Sequence, residues 1–499
     1  MSDISAAPAD TSVFSEPRLL IGGALVQARA GRTFTNINPA TEQVLGLVAD
    51  AGADDMDAAV AAARTAFDTT DWSTNTQLRL RCLRQLSEAL ERYKEDLRGL
   101  TVAEIGAPVS LTHGPHLDAA LGIVSYTADL AEKYAWDTDH GVYDSPVTYS
   151  TSRRVVAREP VGVVAAITPW NVPMQINLAK VVPALAAGNT VVLKPAPDSP
   201  WTATVLGRLV AEETDIPAGV FNVVTTSDNQ VAQRLAEDPR VDMISFTGST
   251  AVGRRLMAAA APTIKKTFLE LGGKSAHIVC DDADLGKVIP MAATVACFHS
   301  GQGCAIDSRL LVARPLYDDA VAAMSEALAN FPYGDPTDPS VLMGPQISAV
   351  QRQRVLDLIA VGVAEGQKVA VGGGVPAHLP TGFFTEPTLF VDVDPDSAVA
   401  QQEFFGPVAV MIPFDTDDDA VRIANNSIYG LAGSVSSGSL DRAMGIARRV
   451  RTGSINVNGG QYYAPDMPFG GYRQSGLGRE MGVPGFEEYL ETKVIAVGV

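Results

Sequence analysis

From residue 161 onward the chain repeats one pattern, and that pattern restricts the fold more than anything else in it. The apolar run 161–167 reads as a buried strand, and a helix over 175–187 follows. Strand 190–193, helix 200–213, strand 220–224, helix 228–237 and strand 243–246 continue the series. Short apolar strands alternating with helices build β-α-β units, which means a parallel sheet covered on both faces. After Glu270 a second series begins, with strands expected at 276–279, 310–313, 409–412 and 454–457. The expectation is two α/β domains meeting near residue 270. Upstream, residues 54–67 read as a helix with Asp in its first turn. Residues 75–100 carry Leu at helical spacing between charges, as an amphipathic helix or helix pair would.

Two segments break this order. Residues 147–156 and 492–497 alternate polar and apolar side chains, as exposed antiparallel strands do. Long open strand edges are a liability unless paired. These two are expected to pair with each other and to extend a sheet between subunits; the other reading is a hairpin packed within one subunit.

Composition excludes several functions. The formal net charge of −19 argues against nucleic acid or an anionic membrane as partner. No apolar run is long enough to span a bilayer, and the first 16 residues lack the pattern of a secretory signal. The cysteines are Cys82, Cys280, Cys297 and Cys304, with no C-x-x-C pair. Neither a disulfide framework nor a metal site is expected, and a reducing, cytoplasmic setting follows. Cys82, Cys280 and Cys297 read as core residues, the last two helical turns before Cys304. His113 and His116 flank Gly114-Pro115 in an expected loop and form no metal-ligand pattern.

The chemistry concentrates between Glu270 and Cys304. Leu269-Glu270-Leu271-Gly272-Gly273 places a carboxylate on a tight turn, and Gly301-Gln302-Gly303-Cys304 places a thiol on a small loop. The interval holds a turn, a strand and a helix that fold back and bring the two together. A thiol nucleophile beside a general base is equipment for covalent chemistry on a carbonyl. Phe246-Thr247-Gly248-Ser249, with Gly253 further on, follows a strand and opens a helix. Such a turn offers free N–H groups and a positive dipole end to a phosphate, although it lacks the G-x-G-x-x-G pattern. Lys194 ends strand 190–193, where ligands bind in parallel sheets; a solvated lysine is the alternative.

With these pieces placed, the chain resembles the NAD(P)-dependent aldehyde dehydrogenase superfamily. The ordered motifs are Ile167-Thr168-Pro169-Trp170-Asn171-Val172-Pro173, Val192-Leu193-Lys194-Pro195, Phe246-Thr247-Gly248-Ser249, Leu269-Glu270-Leu271-Gly272-Gly273, Gly301-Gln302-Gly303-Cys304, Glu403-Phe404-Phe405-Gly406-Pro407 and Pro468-Phe469-Gly470-Gly471. The resemblance implies a Rossmann-like NAD(P) domain (1–139 and 159–270), an α/β catalytic domain (271–480) and oligomerisation strands (140–158 and 487–499) in a homotetramer or homodimer. It implies that Cys304 attacks the aldehyde, that Asn171 and the Cys304 N–H hold the oxyanion, and that Glu270 activates the hydrolytic water. Lys180 would help order this region, unless it faces solvent. Cofactor contacts fall on Thr168, Trp170, Lys194, Gly248, Ser249, Gly253, Leu271, Glu403 and Phe405. The presence of Glu270 favours hydrolysis over transfer to coenzyme A.

The substrate pocket implied by the matching positions is Val172, Ile176, Ala179, Gly303, Ala305, Tyr462, Tyr463 and Phe469. This apolar funnel suits a neutral aliphatic or aromatic aldehyde better than an anionic semialdehyde. Asp307 faces a polar or cationic substrate, or only fixes its loop. Pro197 stands where NAD-preferring members often carry Glu, so NAD is favoured and NADP stays open. Two other classes compete: a non-catalytic relative that keeps the fold, and a thiol esterase. The intact Cys304, Glu270 and Asn171 count against the first, and the cofactor motifs against the second.

Overall fold

The structure is a computed structural model that describes residues 14–499, so the expectation about a leader segment lies almost wholly outside it. Its frame is an eight-stranded sheet whose five central strands are parallel. They run Lys266–Glu270, Met243–Thr247, Val163–Ile167, Thr190–Lys194 and Phe221–Val223 across the sheet. Val163–Ile167, Thr190–Lys194 and Met243–Thr247 are buried at every position, as strands covered on both faces must be. The chain leaves Val163–Ile167 toward Thr190–Lys194 and later returns to its other side with Met243–Thr247. That reversal is a topological switch point, and in open α/β sheets ligands bind at such a point, outside the carboxyl ends of the strands.

Sequence periodicity missed the edges of this sheet. Leu19–Ile21 and Ala24–Val26 form a hairpin on one side, and Gly476–Leu477 pairs antiparallel with Lys266–Glu270 on the other. These strands are only two or three residues long, too short to show a period.

The second series forms a seven-stranded sheet ordered Lys368–Val371, Thr388–Val391, Val408–Phe414, Arg309–Ala313, Ala276–Val279, Gly433–Ser436 and Asn456–Val457. Its pairs are parallel except the outermost, Lys368–Val371 with Thr388–Val391. The strand expected at 454–457 shrinks to Asn456–Val457, and Gly433–Ser436, absent from the expected strands, takes a buried place beside Ala276–Val279. The amphipathic stretch 75–100 is a helix pair, Thr76–Arg92 and Lys94–Ile105, joined at Tyr93.

The two alternating segments do pair with each other, but their bounds differ from those expected. Thr151–Pro160 and Leu490–Gly498 run antiparallel within one chain, with Val155 opposite Ile495. The first strand begins at Thr151, not 147, because Ser145–Ser150 closes a turn back to Asp137–Asp144. Tyr149 sits there at φ +52°, outside any strand conformation. No helix among the described residues is long and apolar enough to cross a membrane.

Candidate active site

Glu270 ends its strand at the carboxyl edge of the first sheet, and the turn through Gly272-Gly273 carries the chain into Ala276–Val279 of the second. Cys304 arrives from the other direction. The helix Leu285–Cys297 stops at Cys297, and His299, Ser300 and Gly301 then take positive φ. Cys297 is thus a buried helix end, not a residue two helical turns from the nucleophile. Gly273 lies against the Cys304 carbonyl so closely that a Cβ there would overlap it. The absence of a side chain at Gly273 is therefore what lets the carboxylate turn and the thiol loop close on each other.

Asn171 follows Val163–Ile167 at the switch point and is buried. Its Nδ2 donates to the Gln302 carbonyl at 2.8 Å, which ties it to the loop of Cys304. An amide nitrogen has two hydrogens, so one remains for a ligand. Gln302 is fixed in turn: its Oε1 accepts from the Ile347 N–H at 2.8 Å, and its Nε2 donates to the His299 carbonyl at 3.0 Å. Behind this loop His116 stacks on Phe298 and meets His299 edge-on at 4.5 Å. Burial drives His116 down to about 3 and His299 well below its usual range, so both rings are neutral packing groups. His116 does lie in the expected loop, between the helices Val109–Thr112 and Asp118–Lys133, but it is buried there.

Cys304 is half-buried, and burial first, then Glu270, Glu403 and Glu480, push its thiol up. Glu270 is 3% exposed, and neither carboxyl oxygen has a partner among the described residues. Burial and then the like charge of Glu480 raise it well above the carboxylate range; Lys180 and Arg479 act the other way. Lys180 is fully buried, donates to Glu480 at 3.1 Å and stands 4.5 Å from the centre of the Phe268 ring. The solvent-facing alternative for Lys180 therefore fails. Glu480 was missed from the sequence, and Gly470 was read only as part of the motif Pro468-Phe469-Gly470-Gly471, with no role of its own. A Cβ at Gly470 would come within 2.7 Å of Glu270 Oε1, so this glycine makes room for the carboxyl. Glu480 lies in no spacing that marks it; a charge just before the apolar Met481 is its only hint.

Around the switch point several buried polar atoms lack partners. They include Thr168 Oγ1 and Thr247 Oγ1, at the carboxyl ends of neighbouring strands. Lys194 is 8% exposed, and burial lowers its ammonium to about 8, so it is not a solvated lysine. Ser249 caps the helix Thr250–Ala260, its Oγ accepting from Val252 N–H at 3.4 Å. Gly253 serves packing: a Cβ there would meet Leu271 Cδ2 at 2.6 Å. Glu403 Oε1 accepts from the Gly273 N–H at 2.9 Å, and burial raises its carboxyl to about 7. Phe405, at φ +54°, stands edge-on to Trp170 at 5.3 Å.

On the other side of Cys304, the thiol and Ala305 pack with Tyr462 against a cluster containing Ala179 and Phe469. Ile176 is buried in the same helix as Ala179, whose N-cap is Val172. Tyr462 stacks near Phe469 at 6.5 Å, and Tyr463 meets Phe469 edge-on at 5.1 Å and accepts from Gln175. Gly303 lies against Ile306. No group of three or more metal-ligating side chains occurs among the described residues.

The sequence model described as the aldehyde dehydrogenase family matches residues 25–495. The 3-succinoylsemialdehyde-pyridine dehydrogenase of a Pseudomonas species is 42% identical over 480 residues, covering 95% of this chain and 97% of that protein. A Mycobacterium tuberculosis aldehyde dehydrogenase solved in complex with NAD+ superposes with a TM-score of 0.93 at 40% identity, covering 97% of this chain and 99% of that one. A mutant of Pseudomonas syringae aldehyde dehydrogenase C, solved with NAD+ and octanal, gives a TM-score of 0.91 at 38% identity, with 98% of each chain covered.

Proposed function

Since the chain belongs to the aldehyde dehydrogenase family, we propose that it oxidises an aldehyde to the carboxylic acid with NAD+ through a covalent bond to Cys304. The observation that carries the assignment of residues is the pairing of a half-buried thiol with a buried carboxyl that has no partner among the described residues, across the Gly273 contact.

Cys304 Sγ, as thiolate, bonds to the aldehyde carbon, and the carbonyl π pair moves onto oxygen. The free Nδ2 hydrogen of Asn171 and the Cys304 N–H donate to that oxyanion, each contributing about 3–4 kcal/mol in comparable sites. When bound, NAD+ supplies the acceptor for the hydride that leaves this carbon. The acyl group then remains on Cys304 as a thioester. Glu270 takes a proton from water, the water oxygen bonds to the acyl carbon, and the C–S bond breaks to release the acid and the Cys304 thiolate.

The unpartnered Thr168 and Thr247 hydroxyls and the buried Lys194 at the carboxyl edge of the first sheet fit a polar ligand such as a dinucleotide. Lys194 would hold the adenosine ribose, and Gly248 and Ser249 the pyrophosphate. Thr168, Trp170 and Leu271 would line the channel, Gly253 would set its helix close against Leu271, and Glu403 and Phe405 would meet the nicotinamide end. Pro197 offers no carboxylate to repel a 2′-phosphate, so NADP+ is the second cofactor to assay.

Residues 1–139 and 159–270 act in this reading as the cofactor domain and 271–480 as the catalytic domain. The strands near 140–158 and 487–499 act as the subunit contact of a homodimer or homotetramer. The outermost strand Leu490–Gly498 leaves Val494 66% and Val497 55% exposed, which supports an interface there. Four unpaired cysteines fit a cytoplasmic setting.

The test is reduced-nicotinamide absorbance with purified protein, a panel of aldehydes, and NAD+ or NADP+. Turnover that is lost in Cys304→Ser supports the reading. Turnover retained in that variant refutes the nucleophile. Light scattering after size exclusion tests the assembly, and a monomer would refute it.

A further inference from the structure

Lys274 is 1% exposed, and its Nζ has no hydrogen-bond partner among the described residues. No step at Cys304 uses it. Its backbone is fixed: the Lys274 carbonyl accepts from Arg309 Nε at 2.8 Å, and Arg309 also donates to the Ile423 and Ala424 carbonyls. Its ammonium stands 4.6 Å from the centre of the Phe404 ring. One residue back, the Gly273 N–H donates to Glu403 Oε1 at 2.9 Å, and a Cβ at Gly272 would overlap Glu403 Oε2. The turn after Glu270 therefore lies directly along Glu403 and Phe404. Phe404 stacks near Phe390 at 6.4 Å, and Gln351 Nε2 donates to the Phe405 carbonyl at 2.9 Å. Glu403, Phe404 and Phe405 are thus each held by a different neighbour.

A buried ammonium without a hydrogen bond is costly. An aromatic face offsets part of that cost, and an opposite charge nearby offsets more. Burial lowers the Lys274 ammonium to about 7, with Arg309 acting in the same sense and Glu403 against it. Burial raises the Glu403 carboxyl to about 7, and the Gly273 N–H and the Lys274 charge act against that rise. Each group holds its charge best while the other is charged. We propose that Lys274 is a positioning residue for the dinucleotide: its ammonium fixes the Glu403–Phe405 segment so that the Glu403 carboxylate meets the nicotinamide ribose as an acceptor. This rests on the dehydrogenase reading above and on the place given there to Glu403. An ionised carboxylate only accepts, which suits the hydroxyls of a ribose; a protonated one has a donor in place of one acceptor. Lys274 itself touches no cofactor atom in this role and acts through Phe404 and Glu403.

The experiment is calorimetric titration of the full chain with NAD+, in the wild type, Lys274→Met, Glu403→Gln and the double variant. Methionine keeps most of the lysine chain and removes the charge. Lys274→Gln runs in parallel, so that the cycle does not hinge on one folded variant, and Lys274→Arg returns the charge. Lys274→Met and Glu403→Gln should each weaken NAD+ by about tenfold. The double variant should also be about tenfold weaker, not about a hundredfold, because both changes remove one interaction. Lys274→Arg should recover part of the loss. Losses that add in the double variant would make Lys274 a packing residue only and overturn the proposal. NAD+ binding unchanged in the neutral variants, or an Arg variant no better than Met, would overturn it too. A Glu403→Gln variant that binds NAD+ as the wild type does would instead overturn the place given to Glu403. Wild-type protein that neither binds NAD+ nor reduces it with any of the aldehyde panel would overturn the dehydrogenase reading itself.

Discussion

Glu480→Gln is the perturbation with the most to say about how Glu270 is tuned. The Lys180–Glu480 pair is 3.1 Å apart, with side chains 0% and 4% exposed. At an effective dielectric of ~20, Coulomb's law gives an attraction of about 5 kcal/mol at that separation. Desolvation offsets much of it in the intact pair, but removing one partner strands the other charge and costs about 3–5 kcal/mol. Thermal melting should therefore fall clearly in Glu480→Gln and in Lys180→Met. The double variant should recover part of the loss, because neither charge is then stranded. The pH profile gives the sharper result. Glu270 is held above its usual range by burial and by Glu480, so it keeps its proton at low pH and deacylation rises as pH rises through its pKa. Glu480→Gln removes a like charge and frees Lys180 to act on Glu270, so the acid limb should move to lower pH. Lys180→Met removes the attractive charge, so the limb should move to higher pH. Single-turnover deacylation of a preformed acyl-enzyme, followed across pH in both variants, is the assay. Limbs that shift together, or do not move, would refute the electrostatic account of Glu270.

Glu270→Gln should leave a trapped acyl-Cys304 visible by intact-protein mass spectrometry. Because a buried carboxyl costs least when protonated, this variant should also gain stability relative to wild type as pH rises, measured by melting at several pH values. Asn171→Ala should lower kcat by about 10²–10³-fold with the thiol still titratable, measured by steady-state kinetics. Gly470→Ala places a Cβ 2.7 Å from Glu270 Oε1 and should cost about 1–3 kcal/mol while slowing deacylation more than acylation, read from burst kinetics. Pro197→Glu should weaken NADP+ relative to NAD+, measured as the ratio of their kcat/KM values.

Local sequence was enough for the frame. Apolar runs such as Val163–Ile167 and Thr190–Lys194 reveal themselves as strands because a parallel sheet buries both faces, and that requirement is written residue by residue. That the turn after Glu270 meets the loop of Cys304 was legible for a similar reason: a Gly-Gly turn and a small-residue loop are local devices, and Gly273 makes their contact possible. The helix Pro173–Ala187 was also legible, but not that Lys180 within it is sealed from solvent. Its partner Glu480 is 300 residues away, and no periodicity links them. Asp307 shows the same division. The sequence presented an acidic residue near the nucleophile; only the folded chain brings the Ser434 hydroxyl to its carboxyl and Asn456 to Ser434. Strand and helix follow from short-range sterics and from which side chains avoid water. The protonation of a buried carboxyl depends on which distant charges the packing brings within a few ångströms, and that is decided by tertiary structure alone.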